Sequence, residues 1–227
     1  MAVVISKNGG LNDDFWKPTA QVLNAVLYDA DSEKTEYDKL VSNIAKEKKS
    51  KKYAEKQSST TSLANFDITG EGDVAPLDDW QEGTPKLIIH NTFKKEVVIT
   101  REMQEDGDID AMKTTVRNMA MAYKRSRAAL LTAYLSAEGT TFSFGSRSGL
   151  DRTTGDGKGL FAADHGSVKP DVAAQSNVFT NAFSLDILIR LASIGRDFKN
   201  ESGEVTGYAF NKIIIPGNCW QLEETIK

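Results

Sequence analysis

Apolar positions recur at helical spacing along one long stretch, residues 108–138. Ile109, Met112, Val116, Met119 and Tyr123 fall at steps of three and four, and Leu130, Leu131, Tyr134 and Leu135 resume that face after the basic cluster Lys124, Arg125, Arg127. Such spacing puts side chains on one face of an α-helix. Charge is ordered along the same axis. Glu102, Glu105, Asp106, Asp108 and Asp110 crowd the start, and the charged residues from 111 to 137 are all basic: Lys113, Arg117, Lys124, Arg125 and Arg127. That order suits the helix macrodipole. Gly139 is placed to end the helix in the left-handed C′ conformation. At ~1.5 Å per residue, about 30 residues span roughly 45 Å, so a single spine helix is predicted.

The rest of the chain is more broken. Residues 1–12, with Gly9-Gly10, read as an extended lead-in. Pro18 suits the first turn of a helix whose stripe is Val22, Leu23, Val26 and Leu27. Residues 32–57 turn polar, with eight lysines against five acids, and read as a solvated helix or a mobile arm. Their charges read as a solvated face or, as the lesser reading, a phosphate contact. From 57 to 85 there is no Lys or Arg, while Asp67, Glu71, Asp73, Asp78, Asp79 and Glu82 accumulate among Gly70, Gly72, Pro76, Gly83 and Pro85. This predicts a long loop or loose hairpin, and a loop of that length is generally functional or partner-bound. Residues 87–93 and 96–100 are rich in β-branched side chains and predict two strands paired as an exposed ribbon. A second helix is predicted over 184–199, with Ser184 as N-cap, Asp186 in its first turn, and Leu185, Leu188, Ile189, Ala192 and Ile194 on its apolar side. Residues 208–215 predict a short buried strand, and a last amphipathic segment carries Trp220, Leu222 and Ile226.

Composition narrows the class. With 40% hydrophobic and 26% charged residues, the 227-residue chain can bury a core. A formal net charge of −4 excludes a globally basic nucleic-acid binder but leaves room for a local basic face. Lys113, Arg117 and Lys124 share one face of the spine and are the candidate DNA-facing residues. One cysteine, Cys219, cannot form an intrachain disulfide. The first residues lack a signal peptide's basic region, and no apolar run approaches the ~20 residues that cross a bilayer, so cytosolic synthesis is expected.

Familiar catalytic patterns are absent. Two histidines and one cysteine do not make an ordinary zinc site. His165 beside Asp164 suggests a hydrolase, yet Gly145-Ser-Arg-Ser-Gly149 puts Arg147 at the nucleophile position of a nucleophile elbow. Gly155-Asp-Gly-Lys-Gly159 fails as a phosphate loop, with Arg152 where the first glycine belongs and Gly159 where Ser or Thr belongs. Asp151 and Asp156 do not have EF-hand spacing. The segment reads as a glycine-rich turn with solvated charges. No catalytic residue, metal ligand or cofactor site is predicted, and no enzyme activity.

The order of these parts resembles a known family. The run Phe93-Lys-Lys-Glu-Val-Val-Ile-Thr-Arg-Glu-Met-Gln-Glu-Asp106, the spine after it, and Gly155-Asp-Gly-Lys-Gly-Leu-Phe-Ala-Ala-Asp-His165 resemble the major capsid proteins of tailed bacteriophages. The likeness is to the Mu-like major head subunit branch of the Hong Kong 97-type fold. Tyr208-Ala-Phe-Asn-Lys-Ile-Ile-Ile-Pro-Gly217 is similar to that family's axial-domain strand. The resemblance implies an α+β chain with an N-terminal arm (1–57), an extended β-hairpin loop (58–100), a peripheral domain with the spine (101–180) and an axial domain (181–227) that is incomplete at Lys227. It implies a virion structural protein, made in the bacterial cytoplasm, that forms hexamers and pentamers of an icosahedral shell. Scaffolding protein, portal, maturation protease and non-specifically packaged DNA are the implied partners, with no membrane. Asp67, Asp73, Asp78, Asp79 and Trp80 are then the candidate inter-subunit contacts. The alternative is a DNA-binding module acting through the spine's basic face.

Overall fold

A computed structural model describes residues 4–7, 13–78, 80–181 and 184–215. It is a mixed α+β chain whose elements run β1 (Val4–Lys7), α1 (Asp13–Ser32), α2 (Glu36–Ile44), β2 (Ala54–Gln57), β3 (Lys86–Ile89), β4 (Glu96–Ile99), α3 (Arg101–Glu105), α4 (Ile109–Ser136), β5 (Thr141–Phe144), β6 (Arg147–Asp151) and α5 (Leu185–Asp197). Two compact units result, one from Met1–Glu55, Ile89–Ala137 and Ser143–Ser148, the other from Lys56–Ile88, Glu138–Phe142 and Gly149–Lys227. Among the described residues no helix is long and apolar enough to cross a membrane.

The first unit is built on α4, the predicted spine, 28 residues long. Asp108 caps it by accepting from the Ala111 N–H at 3.0 Å, satisfying one of the donors that a helix start leaves unpaired. It ends at Ser136 with Ala137 as C-cap, so Gly139 (φ +73°) turns the chain one residue later than predicted. Its buried residues are Met112, Val116, Met119, Ala120, Lys124 and Ala128. Steps of four outpace the 3.6-residue turn, so the buried stripe winds around the helix. α1 and α2 both pack on α4, and the winding stripe serves both. Leu23, Ile99, Met112 and Val116 form the core, with Val26, Leu27 and Met103 against them. Ile109, assigned by spacing to the apolar face, is exposed, and Tyr123 is half-buried beneath the Arg127 guanidinium, 5.7 Å from its ring centre.

Two expectations are corrected here and one open reading is decided. α1 begins at Asp13, so Pro18 lies inside the helix rather than in its first turn. The polar stretch after it, open between a solvated helix and a mobile arm, contains the helix α2, started by a capping box in which Thr35 and Asp38 exchange side-chain and backbone hydrogen bonds. The predicted ribbon of neighbouring strands does not form. β4 pairs in parallel with β1, register Val4↔Glu96 to Lys7↔Ile99, while β3 pairs with β2. The lead-in thus supplies a strand, and that pairing leaves Ile99 buried in the core.

In the second unit the β2–β3 pairing continues as an interrupted antiparallel ladder, with a Thr60↔Glu82 bridge, Gly83 N–H donating to the Ser59 carbonyl at 2.6 Å and Thr61 N–H to Gln81 at 2.9 Å. A side chain at Gly83 would displace Ser59, since a Cβ there would lie 2.1 Å from Ser59 Oγ and 3.0 Å from its carbonyl oxygen. Ser184 caps α5 as predicted, accepting from Ile187 N–H at 3.3 Å. Leu185 and Ile189, however, are exposed. Leu188 and Leu191 instead line an open cleft of about 810 Å³ with Phe161, Phe179, Phe198 and Phe210. Phe210 presses on Gly195, where a Cβ would meet the ring at 2.4 Å. Residues 208–215 form no strand, and Tyr208, Phe210, Ile213 and Ile214 are each more than half exposed. The apolar run finds no pairing partner among the described residues. The predicted last segment lies outside the described residues.

Candidate functional site

The ladder of 53–61 against 81–90 carries a long loop, and that loop divides into an anchored base and a free tip. At the base, Ser59 Oγ donates to Glu201 at 3.3 Å, Asn65 Nδ2 to Glu204 at 2.6 Å and the Ser202 hydroxyl to the Ser62 carbonyl. Asp78 forms an ion pair with Lys169 at 3.7 Å. Within the tip, Asp73 N–H donates to the Gly70 carbonyl at 3.1 Å and its carboxylate accepts the Gly70 N–H at 2.9 Å, closing a turn through Gly72 at φ +89°. Phe66, Ile68 and Leu77 are fully exposed, Val74 nearly so, and Trp80 is 63% exposed.

The residues predicted as contacts therefore differ in placement. Asp67 and Trp80 face solvent, Asp73 shapes the turn, Asp78 is engaged within its own unit, and Asp79 lies outside the described residues. What sequence reasoning missed are the apolar side chains. Phe66, Ile68, Val74 and Leu77 follow neither helical nor strand period in a segment of Gly, Pro and Asp, and this mismatch between apolar residues and loop chemistry is the signal that marks them.

The basic face of the spine is corrected. Lys124 is only 2% exposed: its Nζ donates to the Ala30 carbonyl at 3.1 Å and to the Glu33 carbonyl, and lies 3.4 Å from Asp38. The winding stripe carries this position under α2, so Lys124 faces no DNA. Arg127 pairs with Glu47 and lies 3.8 Å from Asp38. Burial raises the Asp38 carboxyl, but Thr35 hydrogen bonds and the Lys124 charge outweigh it and leave it below the usual range. Lys113 is tied to Asp110 at 3.3 Å, leaving Arg117 as the exposed residue of the three.

A polar cavity of about 210 Å³ occurs in the second unit, lined by Ser59, Thr84, Thr154, Asp156, His165 and Glu201 among others. His165 Nδ1 lies 2.7 Å from Asp156 Oδ2, and only a fifth of either side chain is exposed, so this pair is not the solvated turn charge that was expected. Burial pushes the Asp156 carboxyl up, yet hydrogen bonds from Thr154, His165 and the Lys158 N–H hold it at about 2. His165 Nε2 and Glu201 Oε2 are buried without a protein partner, a place for bridging water in a polar cavity of this size. Ser59 Oγ is directed to Glu201, and no nucleophile–histidine hydrogen bond is present among the described residues. Arg152, which occupies the glycine position of a phosphate loop, is buried, donates to the Gly139 carbonyl at 3.0 Å and lies over Phe161. Its role is to pack the turn. Among the described residues no three His, Cys, Asp or Glu converge as metal ligands.

No family model, curated protein or solved structure matches this chain.

Proposed function

We propose that the protein is a structural subunit, a major capsid protein of the tailed-bacteriophage type that assembles in many copies into an icosahedral shell enclosing double-stranded DNA. The observation that carries this reading is the hairpin tip, where Phe66, Ile68, Val74 and Leu77 stand exposed on an anchored base. Fully burying one such side chain contributes about 1.5–3 kcal/mol. A soluble subunit that leaves four unburied in one short segment has a use for them in contact with another molecule. Repetition of one chain supplies that partner in a shell, because each copy offers both the loop and the surface that receives it.

The order of parts supports the same reading: helices and a strand from the N-terminal region against a 28-residue spine, a long hairpin, then a smaller α/β segment. In the Hong Kong 97-type fold these become arm, extended loop, peripheral spine and axial domain. The open apolar cleft beside α5 is a second surface suited to a neighbouring subunit. The implied partners are other copies in hexamers and pentamers, a scaffolding protein, a portal, a maturation protease and packaged DNA, with the virion as location. The Asp156–His165 pair has a structural role, and the subunit carries out no chemistry. The reading of a DNA-binding module acting through the spine is weaker, because Lys124 is buried and Lys113 paired.

Electron microscopy of the purified protein tests the proposal. Closed shells or ring-shaped capsomers are expected, and a monodisperse monomer at high concentration contradicts it.

A further inference from the structure

Of the three basic residues on the spine's shared face only Arg117 is exposed, while a denser run of basic residues lies in the segment after α2. Residues 46–52 hold five lysines, Lys46, Lys48, Lys49, Lys51 and Lys52, and every residue of the segment is exposed. The segment is neither helix nor strand. It leaves α2 after Ile44 and enters β2 at Ala54, and Glu47 is held by Arg127. Several lysines elsewhere are matched with carboxylates: Lys39 with Glu36, Lys56 with Glu82, Lys113 with Asp110, Lys158 with Asp164 and Lys169 with Asp78. Among the described residues none of the five forms such an ion pair. Beyond the segment, the Glu55 carboxylate accepts from Ser50 and feels the charges of Lys52, His90 and Lys48.

We propose that the 46–52 segment is the surface through which this protein contacts the phosphate backbone of duplex DNA, without regard to sequence. The inference rests on the shell reading for its partner and assigns the contact to the arm instead of the spine. Lysine binds phosphate as a point charge and needs no fixed fork geometry, which suits an irregular segment. Seven residues reach at most roughly 23 Å, the axial length of about seven phosphates on one strand at ~3.4 Å each. Exposed lysines that neutralise phosphates gain from counterion release, and this gives the contact a measurable signature. The segment has no Arg, Asn or Gln, and an irregular run of lysines lacks the fixed groove-reading element that direct base readout uses.

The test is fluorescence anisotropy of the purified full chain with a mixed-sequence duplex at 50–200 mM salt. Five phosphate contacts predict a slope of log K against log salt of about −4.5, or roughly a 500-fold loss of affinity over that range. Replacing Lys48, Lys49, Lys51 and Lys52 together by Gln should reduce the slope by about 3.6, whereas the four Lys→Arg substitutions should keep it. Lys113→Gln with Arg117→Gln should leave it unchanged. Circular dichroism checks that each variant is folded. An unchanged slope in the Gln variant, a slope that falls with the spine variant, or no salt-dependent binding by the wild type overturns the proposal. Light scattering on the same samples separates the two readings. A Gln variant that loses self-association but not DNA binding shows the lysines meeting a neighbouring copy, against the proposal. Arm-dependent DNA binding by a chain that never assembles overturns the shell reading alone.

Discussion

His165 is held by Asp156, nine residues upstream, and not by its neighbour Asp164: Nδ1 lies 2.7 Å from Asp156 Oδ2, while Asp164 pairs with Lys158 at 2.5 Å. The sequence-adjacent pair that suggests a hydrolase is thus split between two contacts. The partly buried pair that does form ties the glycine-rich turn to the segment after it.

This gives a pH dependence with a definite sign. The Asp156 carboxyl sits at about 2 in the folded chain against an ordinary 3.8. A depressed carboxyl stabilises fully above its unfolded value and loses that contribution as pH falls through the folded one. The contribution, about 2 kcal/mol, should vanish between about pH 4 and pH 2. Denaturant titrations at several pH values check it, and Asp156→Asn should flatten the curve over that window. His165→Ala should cost about 1–2 kcal/mol at neutral pH by removing one of the carboxylate's partners. Lys158→Ala, at an exposed pair, should stay within ~0.5 kcal/mol.

The register of the spine is testable at Met119, which is 3% exposed. Met119→Asp would bury an unpaired carboxylate and should cost several kcal/mol. Normal unfolding of that variant in a denaturant titration would show that this face does not pack on the core.

Lys124 and Lys113 share a helical face yet should behave oppositely. Lys124→Ala strips a buried partner from Asp38 and two carbonyls and should cost about 3–5 kcal/mol. Lys113→Ala breaks an exposed pair and should cost less than ~0.5 kcal/mol. Similar losses for the two in thermal unfolding would contradict the placement of α2 on the spine.

What was legible in the sequence was local. Ser184 caps its helix as read, because capping depends on residues three positions apart. Asp108, legible only as one of the acids at the spine's start, caps that helix in the same way. The acidic loop was legible from its turn residues. Strand pairing was not: β4 takes a partner some 90 positions away in β1, and no feature of either strand names the other. The burial of Lys124 was hidden for a related reason. Helical periodicity places it on a face, but which face α2 covers is a tertiary choice. Residues 208–215 carry the composition of a buried strand, yet composition supplies no neighbouring strand. In the site, the acids drew notice and the exposed Phe66, Ile68, Val74 and Leu77 did not.

Hydrogen exchange should resolve the loop in two parts. Residues 66–77, whose described hydrogen bonding is one small turn, should exchange freely in dispersed subunits, and the ladder amides of Thr61 and Gly83 should be protected. In assembled material the 66–77 segment should gain protection. Equal exchange in both states would remove the tip from the assembly contacts.

The central claim is that copies of this chain associate through the exposed apolar tip. Sedimentation velocity on the wild type beside a Phe66→Ser, Ile68→Ser, Leu77→Ser variant tests it most directly, since all three side chains are fully exposed and their loss leaves the core untouched. The wild type should shift with concentration to large, discrete species, and the variant should remain a folded, slowly sedimenting subunit. A wild type that stays monomeric, or a variant that assembles as the wild type does, would contradict the account.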